Sequence, residues 1–418
     1  LRQGDLNGDG APDLLITQSV YGSREITCLT ATTLTGERLW QHGTPDADRG
    51  LVYSDLPVQI YDWDQDGVNE VLYIRQAHYA EPQEFIQGKD RIRERAKRYE
   101  GQATLVVLDG LTGREKTTLP LPAPADDSLC FADLTGRGYR ADLVVKDRYW
   151  NLWGVAHSGE VLWHWQGATG HYPAVADLDG DGKDEVFIGY ALLDHDGRVL
   201  FDRQAGHERG SHSDANAIIR AADGQWRLLY GNHGVHCLAA DGRELWHHDM
   251  REAQHVVAGR FHASSLLQVA VVNRGHPRND QGAATLYLYD LTDGRELWRR
   301  QQPLGAWGAN CQELRWTGQG DLLDILVAGR GPGRPALIYN GEGKIVDELE
   351  IPAAYCGSYD SGGLGGLNTG VHYCYRGDLC GDHRDEVIVQ GWKGARIYAN
   401  ARPLARPTHY NTTLYRGM

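Results

Sequence analysis

The fold is decided by one acidic stretch, Ala176-Asp177-Leu178-Asp179-Gly180-Asp181-Gly182-Lys183-Asp184-Glu185-Val186-Phe187-Ile188-Gly189. Its alternating carboxylates, a ninth-place carboxylate at Glu185 and the carbonyl of Lys183 have the spacing of a calcium-binding loop, and Gly182 permits the sharp bend. The apolar run from Val186 to Ile188 is typical of a β-strand rather than of the helix that follows an EF-hand loop. The stretch is therefore interpreted as a calcium loop inside a β-hairpin.

The same unit recurs at residues 5–13 and 62–70 with every ligand position kept. Three copies in register argue against a merely solvated turn and predict several structural calcium ions. The predicted ligands are Asp5, Asn7, Asp9, Asp13, Asp62, Asp64, Asp66, Glu70, Asp177, Asp179, Asp181, Lys183 and Glu185. Two other copies are degenerate: Arg137 stands at a ligand position in 133–138, where no metal is expected, and 378–386 lacks the sixth-place Gly.

A second signature alternates with the acidic turns: a Gly turn, a charged residue and an apolar pair that often ends in Trp. It occurs at 35–40, 158–163, 196–201, 241–246 and 293–298, with weaker copies at 112–115 and 342–346. Together the two signatures predict a four-stranded antiparallel blade. Repeats of such blades are typical of a β-propeller, whose closed ring leaves only short strand edges.

The sequence therefore predicts an all-β fold, one propeller domain over 1–418 with eight blades, seven being the alternative. The predicted blades are 2–42, 55–120, 127–166, 171–203, 211–249, 253–300, 307–350 and 366–418. The tail at 410–415 is expected to supply the last strand of blade eight. A charged insertion at 80–100 interrupts blade two and is interpreted as a surface helix or as a basic arm beside the site.

Composition limits the function classes. With 42 Lys plus Arg against 56 Asp plus Glu, the net charge is −14, so nucleic acid is not an expected partner. No apolar run has the length of a membrane span. The chain is expected to be a monomer. The seven cysteines lack a CxxC pair and favour free thiols in a reducing compartment such as the cytoplasm. The chain begins at Leu1 without Met, as expected if a signal peptide or an upstream domain were removed, so a secreted location also stays open.

The candidate site lies at the blade ends opposite the acidic turns. Residues expected there after second strands are Arg75, Tyr190, Asn232, His233, Arg274, Arg330 and Trp392. Those expected at or before first strands are His171, Tyr172, His212, His255, Asn310, His372 and Tyr373. A basic and aromatic surface on an acidic protein predicts an anionic ligand that contains sugar rings, namely an acidic polysaccharide or oligosaccharide.

Histidines are densest between residues 205 and 260. His212, His233 and His255 fall at site-facing positions of adjacent blades, although a single histidine is often structural. A zinc ion bound by this trio is the metal interpretation, but these loops contain no ligand pair of the usual short spacing.

Residues 251–261, Arg251-Glu252-Ala253-Gln254-His255-Val256-Val257-Ala258-Gly259-Arg260-Phe261, resemble the Gly-Asp-Ala-x-His-Val-Gly-Asp stretch of rhamnogalacturonan lyases. Glu252 and Arg260 replace the Asp residues of that pattern. The family consists of calcium-rich eight-bladed propellers. The chain also resembles ulvan lyases and rhamnose–glucuronate lyases, seven-bladed propellers that use two histidines with the spacing of His212 and His233, and its acidic turns resemble the FG-GAP-like calcium repeats of integrin heads.

These resemblances imply β-elimination at a uronate beside rhamnose. Removing the proton next to the uronate carboxylate builds negative charge, which a cation such as Arg274 could neutralise. A neutral histidine can take the proton while a second group protonates the leaving oxygen. We expect His212 and His233 to form the acid–base pair, with His255 as the contender and Arg274 as the carboxylate clamp.

Two other functions remain open from sequence. A rhamnose-releasing glycoside hydrolase would need two carboxylates on the site face, where Asp55 and Asp214 are the obvious ones. A non-catalytic, calcium-stabilised propeller that binds a glycan or a protein would explain the acidic turns equally well. Calcium is expected to be structural, with a substrate-bridging calcium as the alternative.

Overall fold

The structure is a computed structural model. It describes residues 1–20, 25–45, 50–51, 56–76, 101–125, 129–147, 150–204, 212–264, 266–274, 284–302, 310–318, 320–328, 335–352, 373–391 and 394–403. The predicted insertion at 80–100 and the predicted closing strand at 410–415 lie outside these residues.

Eight antiparallel sheets follow one another along the chain, each with its strands in sequence order. Blade one contains β1 (Arg2–Gly4), β2 (Asp13–Val20), β3 (Ile26–Thr32) and β4 (Arg38–Gly43), and β5 (Gly50–Leu51) pairs with β2. Blade two contains β6 (Val58–Tyr61), β7 (Glu70–Gln76), β8 (Ala103–Asp109) and β9 (Glu115–Leu121). Blade three contains β10 (Cys130–Ala132), β11 (Asp142–Lys146), β12 (Asn151–Val155) and β13 (Val161–Gln166). Blade four contains β14 (Ala174–Ala176), β15 (Glu185–Ile188), β16 (Ala191–Leu193) and β17 (Val199–Asp202).

The second half of the chain repeats this arrangement. Blade five contains β18 (Ala215–Arg220), β19 (Trp226–Gly231), β20 (Gly234–Ala239) and β21 (Glu244–Asp249). Blade six contains β22 (Ala253–Gly259), β23 (Gln268–Asn273), β24 (Thr285–Asp290) and β25 (Glu296–Gln301). Blade seven contains β26 (Asn310–Leu314), β27 (Asp324–Ala328), β28 (Ala336–Tyr339) and β29 (Ile345–Leu349). Blade eight contains β30 (Tyr373–Gly377), β31 (Glu386–Gly391) and β32 (Gly394–Tyr398) among the described residues, so the predicted eight-bladed propeller is confirmed.

The second strand of most blades is buried on both faces, and its sequence accordingly runs apolar without alternation. Every residue of β11, β15, β27 and β31 is buried. A strand covered on both faces favours a continuous Val, Ile and Leu run over the alternation of a half-exposed strand. The fourth strands, by contrast, are largely exposed, as in β9 and β25. Each sheet therefore runs from a buried interior to a solvated edge.

The hydrophobic core is divided into clusters that lie between consecutive blades. Blades six and seven, for example, share one cluster around Phe261 and Tyr339. Blade eight meets blade one in a cluster of Leu1, Leu14, Leu379 and Ile388. At the same junction the side-chain amide of Gln3 donates to the carbonyl of Arg376 at 2.7 Å. The ring is therefore closed by packing and by a hydrogen bond between its two ends.

The Gly-Trp signature marks a joint between neighbouring blades. The indole N–H of Trp40 in β4 donates to the Gly110 carbonyl of blade two at 2.7 Å, and Trp163, Trp246 and Trp298 make the same bond to their next blades. Gly113 has φ +67°, and a Cβ there would lie 2.5 Å from the Trp40 ring. The outer turn therefore requires Gly both for its backbone conformation and for the ring above it.

The described residues contain no helix with the length and apolarity needed to cross a lipid bilayer. The six described cysteines, Cys28, Cys130, Cys237, Cys311, Cys374 and Cys380, are free thiols.

Candidate functional site at the blade ends

The two ends of the blades carry different residues. The acidic turns join the first and second strands of their blades, as the Asp177–Asp181 turn joins β14 and β15. Because the strands are antiparallel, connections between second and third strands, and between successive blades, lie at the opposite end. His212, His233 and Arg274 all lie in or beside such connections, so they are at the end of the propeller away from the acidic turns.

A buried carboxylate joins two histidines from adjacent blades. His171 precedes β14 and His212 precedes β18, and the Nε2 atoms lie 3.6 and 3.5 Å from Asp214 Oδ1. Their ring centroids are 5.2 Å apart. Asp214 is only 4% exposed. Burial opposes its ionisation, but the hydrogen bond from His212 and the positive charges of His212, His171 and Arg274 hold the pKa of Asp214 below its usual value.

Backbone contacts fix the two connections that carry these histidines. The His171 N–H donates to the Ser213 carbonyl at 3.1 Å, and the Asp214 N–H donates to the Gly231 carbonyl at 2.7 Å. Gly170 has φ +62°, and a Cβ there would lie 2.4 Å from the Ser213 oxygen. The close approach of the two connections therefore depends on a glycine immediately before His171.

Blade six extends the same hydrogen-bonded network. The Gln254 side-chain amide donates to Asp214 Oδ1 at 3.2 Å and its oxygen accepts from Arg274 Nη1. Arg274 Nη1 also donates to Glu252 Oε1 at 2.9 Å. Arg274, the predicted clamp, is thus connected through Gln254 to Asp214 and His212. Residues from blades four, five and six form one polar cluster.

Asn232 connects this cluster to Tyr190 by hydrogen bonds. Its amide donates to the Tyr190 hydroxyl at 3.1 Å and also to the carbonyl of His212. Tyr190 is 1% exposed and Asn232 is 6% exposed. Both were predicted to bind substrate. In the structure they hold the connection that carries His212.

His233 and His255 occupy different positions from His212. His233 is exposed, and its Nδ1–H donates to the Arg251 carbonyl at 3.2 Å. His255 lies within β22 opposite Val272. Among the described residues, no group of three metal-binding side chains contains His233 or His255. The predicted zinc trio therefore does not come together, and His212 instead faces His171 and Asp214.

Of the remaining predicted site residues, Tyr172 lies beside the polar cluster, whereas Tyr373 and Arg75 are not part of it. Tyr172 is exposed with its ring 5.7 Å from that of His171, whereas Tyr373 is buried in β30. Arg75 donates to Glu115 at 3.0 Å beside a cleft of about 510 Å³ between blades one and two. Arg330, His372 and Trp392 lie outside the described residues, and so does the side chain of Asn310. Asp55, considered for a hydrolase, is also outside them.

The sequence places Asp214 and Gln254 at the same end of the blades as His212, but it does not show that they link His212 to Arg274. The spacing His212-Ser213-Asp214, just before a first strand, was the available signal. What the sequence did not show is that His171, 41 residues earlier, faces the same carboxylate.

The donor set of His171, His212 and Asp214 could hold a divalent cation. One ligand atom from each lies within 4.8 Å of the others. Two imidazole nitrogens and a carboxylate are common ligands of zinc and of other first-row divalent metals. A cation at this position would face the end of the propeller where the polar cluster lies.

The acidic turn of blade four fits calcium by its donors. Asp177, Asp179 and Glu185 bring carboxylate oxygens within 4.8 Å of one another. Glu185 Oε2 accepts from the Leu178 N–H at 2.6 Å, while its buried Oε1 has no hydrogen-bond partner. Burial, followed by repulsion from Asp179, Asp194 and Asp177, raises the pKa of Glu185 to about 7. An unpartnered buried oxygen among carboxylates is the environment a calcium ion would stabilise.

The acidic turn of blade two has the same spacing, but a lysine lies in it. Lys116 Nζ is 2.7 Å from Asp64 Oδ2, 3.4 Å from Asp66 Oδ2 and 2.7 Å from Glu70 Oε1. These interactions raise the pKa of Lys116, against the effect of burial. The lysine ammonium compensates part of the negative charge of this turn. Asp62, Asp64 and Asp66 also bring carboxylate oxygens within 4.8 Å of one another, so the calcium ligands predicted here stay a prediction.

In blade one the acidic turn is held by internal hydrogen bonds. Asp5 accepts from the N–H groups of Asn7, Gly8 and Gly10, and the Asn7 amide donates to Asp9 at 3.1 Å. Its described carboxylates are not among the groups of three that gather within 4.8 Å. The calcium ligands predicted in this turn stay a prediction.

No protein-family model matches the chain. The chain is 24% identical over 251 residues to rhamnogalacturonan endolyase YesW of Bacillus subtilis (strain 168), and 25% identical over 250 residues to its rhamnogalacturonan exolyase YesX. Each match covers 50% of this chain, and the chain spans 40% of the length of each curated relative. The predicted resemblance to rhamnogalacturonan lyases is confirmed.

Solved structures give the same result for the fold. The crystal structure of rhamnogalacturonan lyase YesW aligns with a TM-score of 0.62 and 19% identity over 97% of this chain and 72% of that chain. Bacillus licheniformis rhamnogalacturonan lyase PL11 aligns with a TM-score of 0.60 and 19% identity over 96% of this chain and 71% of that chain. At this identity the alignments establish a shared propeller fold.

Proposed function

We propose that this propeller is the catalytic part of a polysaccharide lyase that cleaves a rhamnose- and uronate-containing acidic glycan by β-elimination. The similarity to two rhamnogalacturonan lyases supports the reaction class. The proposed site rests on one hydrogen-bonded network. Asp214 contacts both His171 and His212. Gln254 links Asp214 to Arg274.

Arg274 is the proposed partner of the uronate carboxylate. Abstraction of the proton beside that carboxylate transfers negative charge onto it in the transition state, and a fixed guanidinium stabilises that charge. Arg274 is held by Glu252 and by Gln254, which fix its direction. Glu252 also compensates part of its charge, so a second positive group beside the substrate would strengthen the site.

Proton transfer is assigned to the histidines. In the first arrangement His212 takes the proton and His233 protonates the leaving oxygen, with His255 as the alternative partner. The contact with Asp214 would orient the His212 ring and stabilise its protonated form. Asn232 would set the position of His212 through its bond to the backbone carbonyl.

In the second arrangement His171, His212 and Asp214 hold a divalent cation, and His233 is left as the base. A cation bound there would supply positive charge for the substrate carboxylate. This would add to the charge of Arg274, part of which Glu252 compensates. The two arrangements give His212 different roles. They differ in whether activity survives removal of divalent ions.

The test is a product spectrum. The chain is incubated with rhamnogalacturonan, and the unsaturated uronate formed by β-elimination is followed by its ultraviolet absorbance. His212→Ala and Arg274→Ala should each lower turnover about 10²- to 10⁴-fold, whereas His262→Ala, on a turn at the opposite end, should not. Absence of absorbance with the parent chain, together with retained glycan binding, would identify a binding propeller and reject the lyase.

Chelation then separates the two arrangements. Activity that disappears with EDTA and returns with added divalent ion in the parent chain, at a temperature where the fold is intact by circular dichroism, supports the metal-holding role. Activity that persists under chelation supports His212 as the base.

A further inference from the structure

Blade five carries a second histidine cluster that the proposed function does not use. Tyr230 in β19 pairs directly with His236 in β20, and His236 pairs directly with His247 in β21. Side chains of directly paired residues lie on the same face of a sheet. The three rings therefore form a row across the outer strands of the blade.

Glu244 faces both histidines of this row. Its Oε2 lies 2.9 Å from His236 Nδ1 and its Oε1 lies 2.8 Å from His247 Nδ1. One ligand atom from each of the three residues lies within 4.8 Å of the others. The side chains are 14%, 26% and 47% exposed for His236, Glu244 and His247, so the group is open to solvent on one side.

The rings are held in place before any ligand arrives. His236 stacks on Tyr230 with centroids 4.5 Å apart and planes within 9°. His247 stacks on His236 at 5.4 Å and 16°. Ligands on paired β-strands, with rotamers fixed by stacking, are better preorganised than ligands on a loop.

Blade four contributes one cation to the same cluster. Arg203 Nη2 lies 3.4 Å from Glu244 Oε2, and its Nη1 donates to the Gly242 carbonyl at 2.9 Å. The guanidinium is thus anchored to the β20–β21 turn as well as to the carboxylate. Glu244 could turn one oxygen to an incoming ion while Arg203 stays on its backbone partner.

We propose that His236, Glu244 and His247 form a binding site for a late first-row divalent cation of the zinc or nickel type. Two imidazole nitrogens and one carboxylate are the donor set that such ions prefer, whereas calcium selects sites made of oxygen ligands. Each ring would carry its proton on Nε2 and present Nδ1 to the ion. Three protein ligands leave the fourth tetrahedral position to water, and the ion would link β20 to β21 at the outer edge of blade five.

The proposal is independent of the lyase assignment. Zinc chloride is titrated calorimetrically into the full chain in the presence of excess calcium, so that oxygen-ligand sites are already filled. His247→Ala and Glu244→Gln should each weaken one zinc site by at least about tenfold. His248→Gln, the next residue of β21, whose ring instead stacks on Tyr289 at 4.3 Å, serves as the matched control and should keep that site.

Cobalt supplies a second readout, because its visible absorption reports imidazole coordination. The parent chain and His248→Gln should show one cobalt band that His247→Ala and Glu244→Gln lack, while the His212→Ala variant retains it. Circular dichroism of each variant shows whether the fold is kept. If His247→Ala unfolds, Glu244→Gln still tests the site, because Gln has nearly the same side-chain volume as Glu. Equal zinc stoichiometry and equal cobalt spectra in all variants, or loss confined to His212→Ala, would overturn the proposal.

Discussion

The acidic turns of blades two and four have the same ligand spacing and different surroundings. In blade two, the ammonium group of Lys116 from β9 contacts Asp64, Asp66 and Glu70. In blade four, the equivalent outer strand β17 contains no lysine. A buried carboxylate oxygen without a hydrogen-bond partner occurs in both turns, Oε1 of Glu185 in blade four and Oδ1 of Asp62 in blade two. Both turns bring three carboxylates within 4.8 Å of one another, but only in blade two does a lysine from the outer strand compensate part of their charge.

The blade-four turn has a lysine and a histidine beside its carboxylates. Lys183 Nζ contacts His195 Nε2 at 3.0 Å, and His195 Nδ1 lies 2.8 Å from Asp194 and 3.7 Å from Asp181. The spacing of a ligand motif therefore does not show which cations surround it, because a residue about fifty positions away in sequence can supply positive charge, as Lys116 does.

The largest expected effect is the response to calcium. At about a thousand times the dissociation constant, one bound ion stabilises the fold by about 4 kcal/mol. The double variant Asp177→Asn with Asp179→Asn should lose most of the calcium-dependent rise in melting temperature, which is measured by calorimetry after chelation. The matched pair Asp62→Asn with Asp64→Asn should keep it. Equal losses in the two double variants would remove the contrast between the blades.

The next effect concerns the two glycine turns of blade two, compared without calcium. Gly67, in the acidic turn, has φ +88° and nothing within 4 Å of a Cβ, whereas a Cβ on Gly113 would lie 2.5 Å from the Trp40 ring. Gly67→Ala should cost about 1 kcal/mol from the left-handed backbone alone, and Gly113→Ala about 3 kcal/mol because the ring must also move. Chemical denaturation measures both values. Similar costs would mean that the Trp40 joint adjusts freely.

The third effect is an exchange of cations. Lys116→Met should lower the free energy of unfolding of chelated protein by about 2 kcal/mol, because Glu70 is buried and loses its charged partner. The same variant should gain a calcium-dependent rise in melting temperature larger than that of the parent chain. Lys344→Met, a lysine of an outer turn, is the control. No gain of calcium response would show that blade two lacks the geometry for the ion.

The smallest effect is a pH dependence on the blade-two side. The ring of His157 packs against Trp63 of the acidic turn, with centroids 4.0 Å apart and planes tilted by 37°. Burial first, and then the charge of Arg137, lower the pKa of His157 below its ordinary value of 6.5. The unfolded chain therefore takes up the proton first as the pH falls, so stability is lost below about pH 6.5 and is present above it.

The measurement compares the melting temperatures of the parent chain and of His157→Gln at about pH 7.5 and at about pH 5.5. The buried ring of His157 is neutral at the higher pH, whereas at the lower pH protonation favours the unfolded chain. The variant should lose less stability on acidification than the parent chain. An identical pH response would indicate that the ring ionises as readily in the folded chain as in the unfolded one.

The candidate site was only partly accessible from sequence. Counting strands places His212 and Arg274 at the end of the blades away from the acidic turns, and the structure joins them through Gln254 and Asp214. Strand counting also places His171 at this end of the blades, but it does not show that His171 contacts Asp214. Tyr190 could not be recognised as buried, because an aromatic at the end of a strand has the same sequence signature whether it faces solvent or the next blade.

The sequence by itself determined the eight blades, since each depends on a turn and on the apolar strands next to it, and such local preferences repeat wherever the motif repeats. It also placed Gly and Trp where neighbouring blades join. Only the tertiary structure decided which side chains meet across blades, as His171 meets Asp214, and across the strands of one blade, as Lys116 meets Glu70. The physical reason is that Coulomb and hydrogen-bond interactions depend on distances of a few ångströms in space, and a linear spacing rule contains no information about the neighbouring strand.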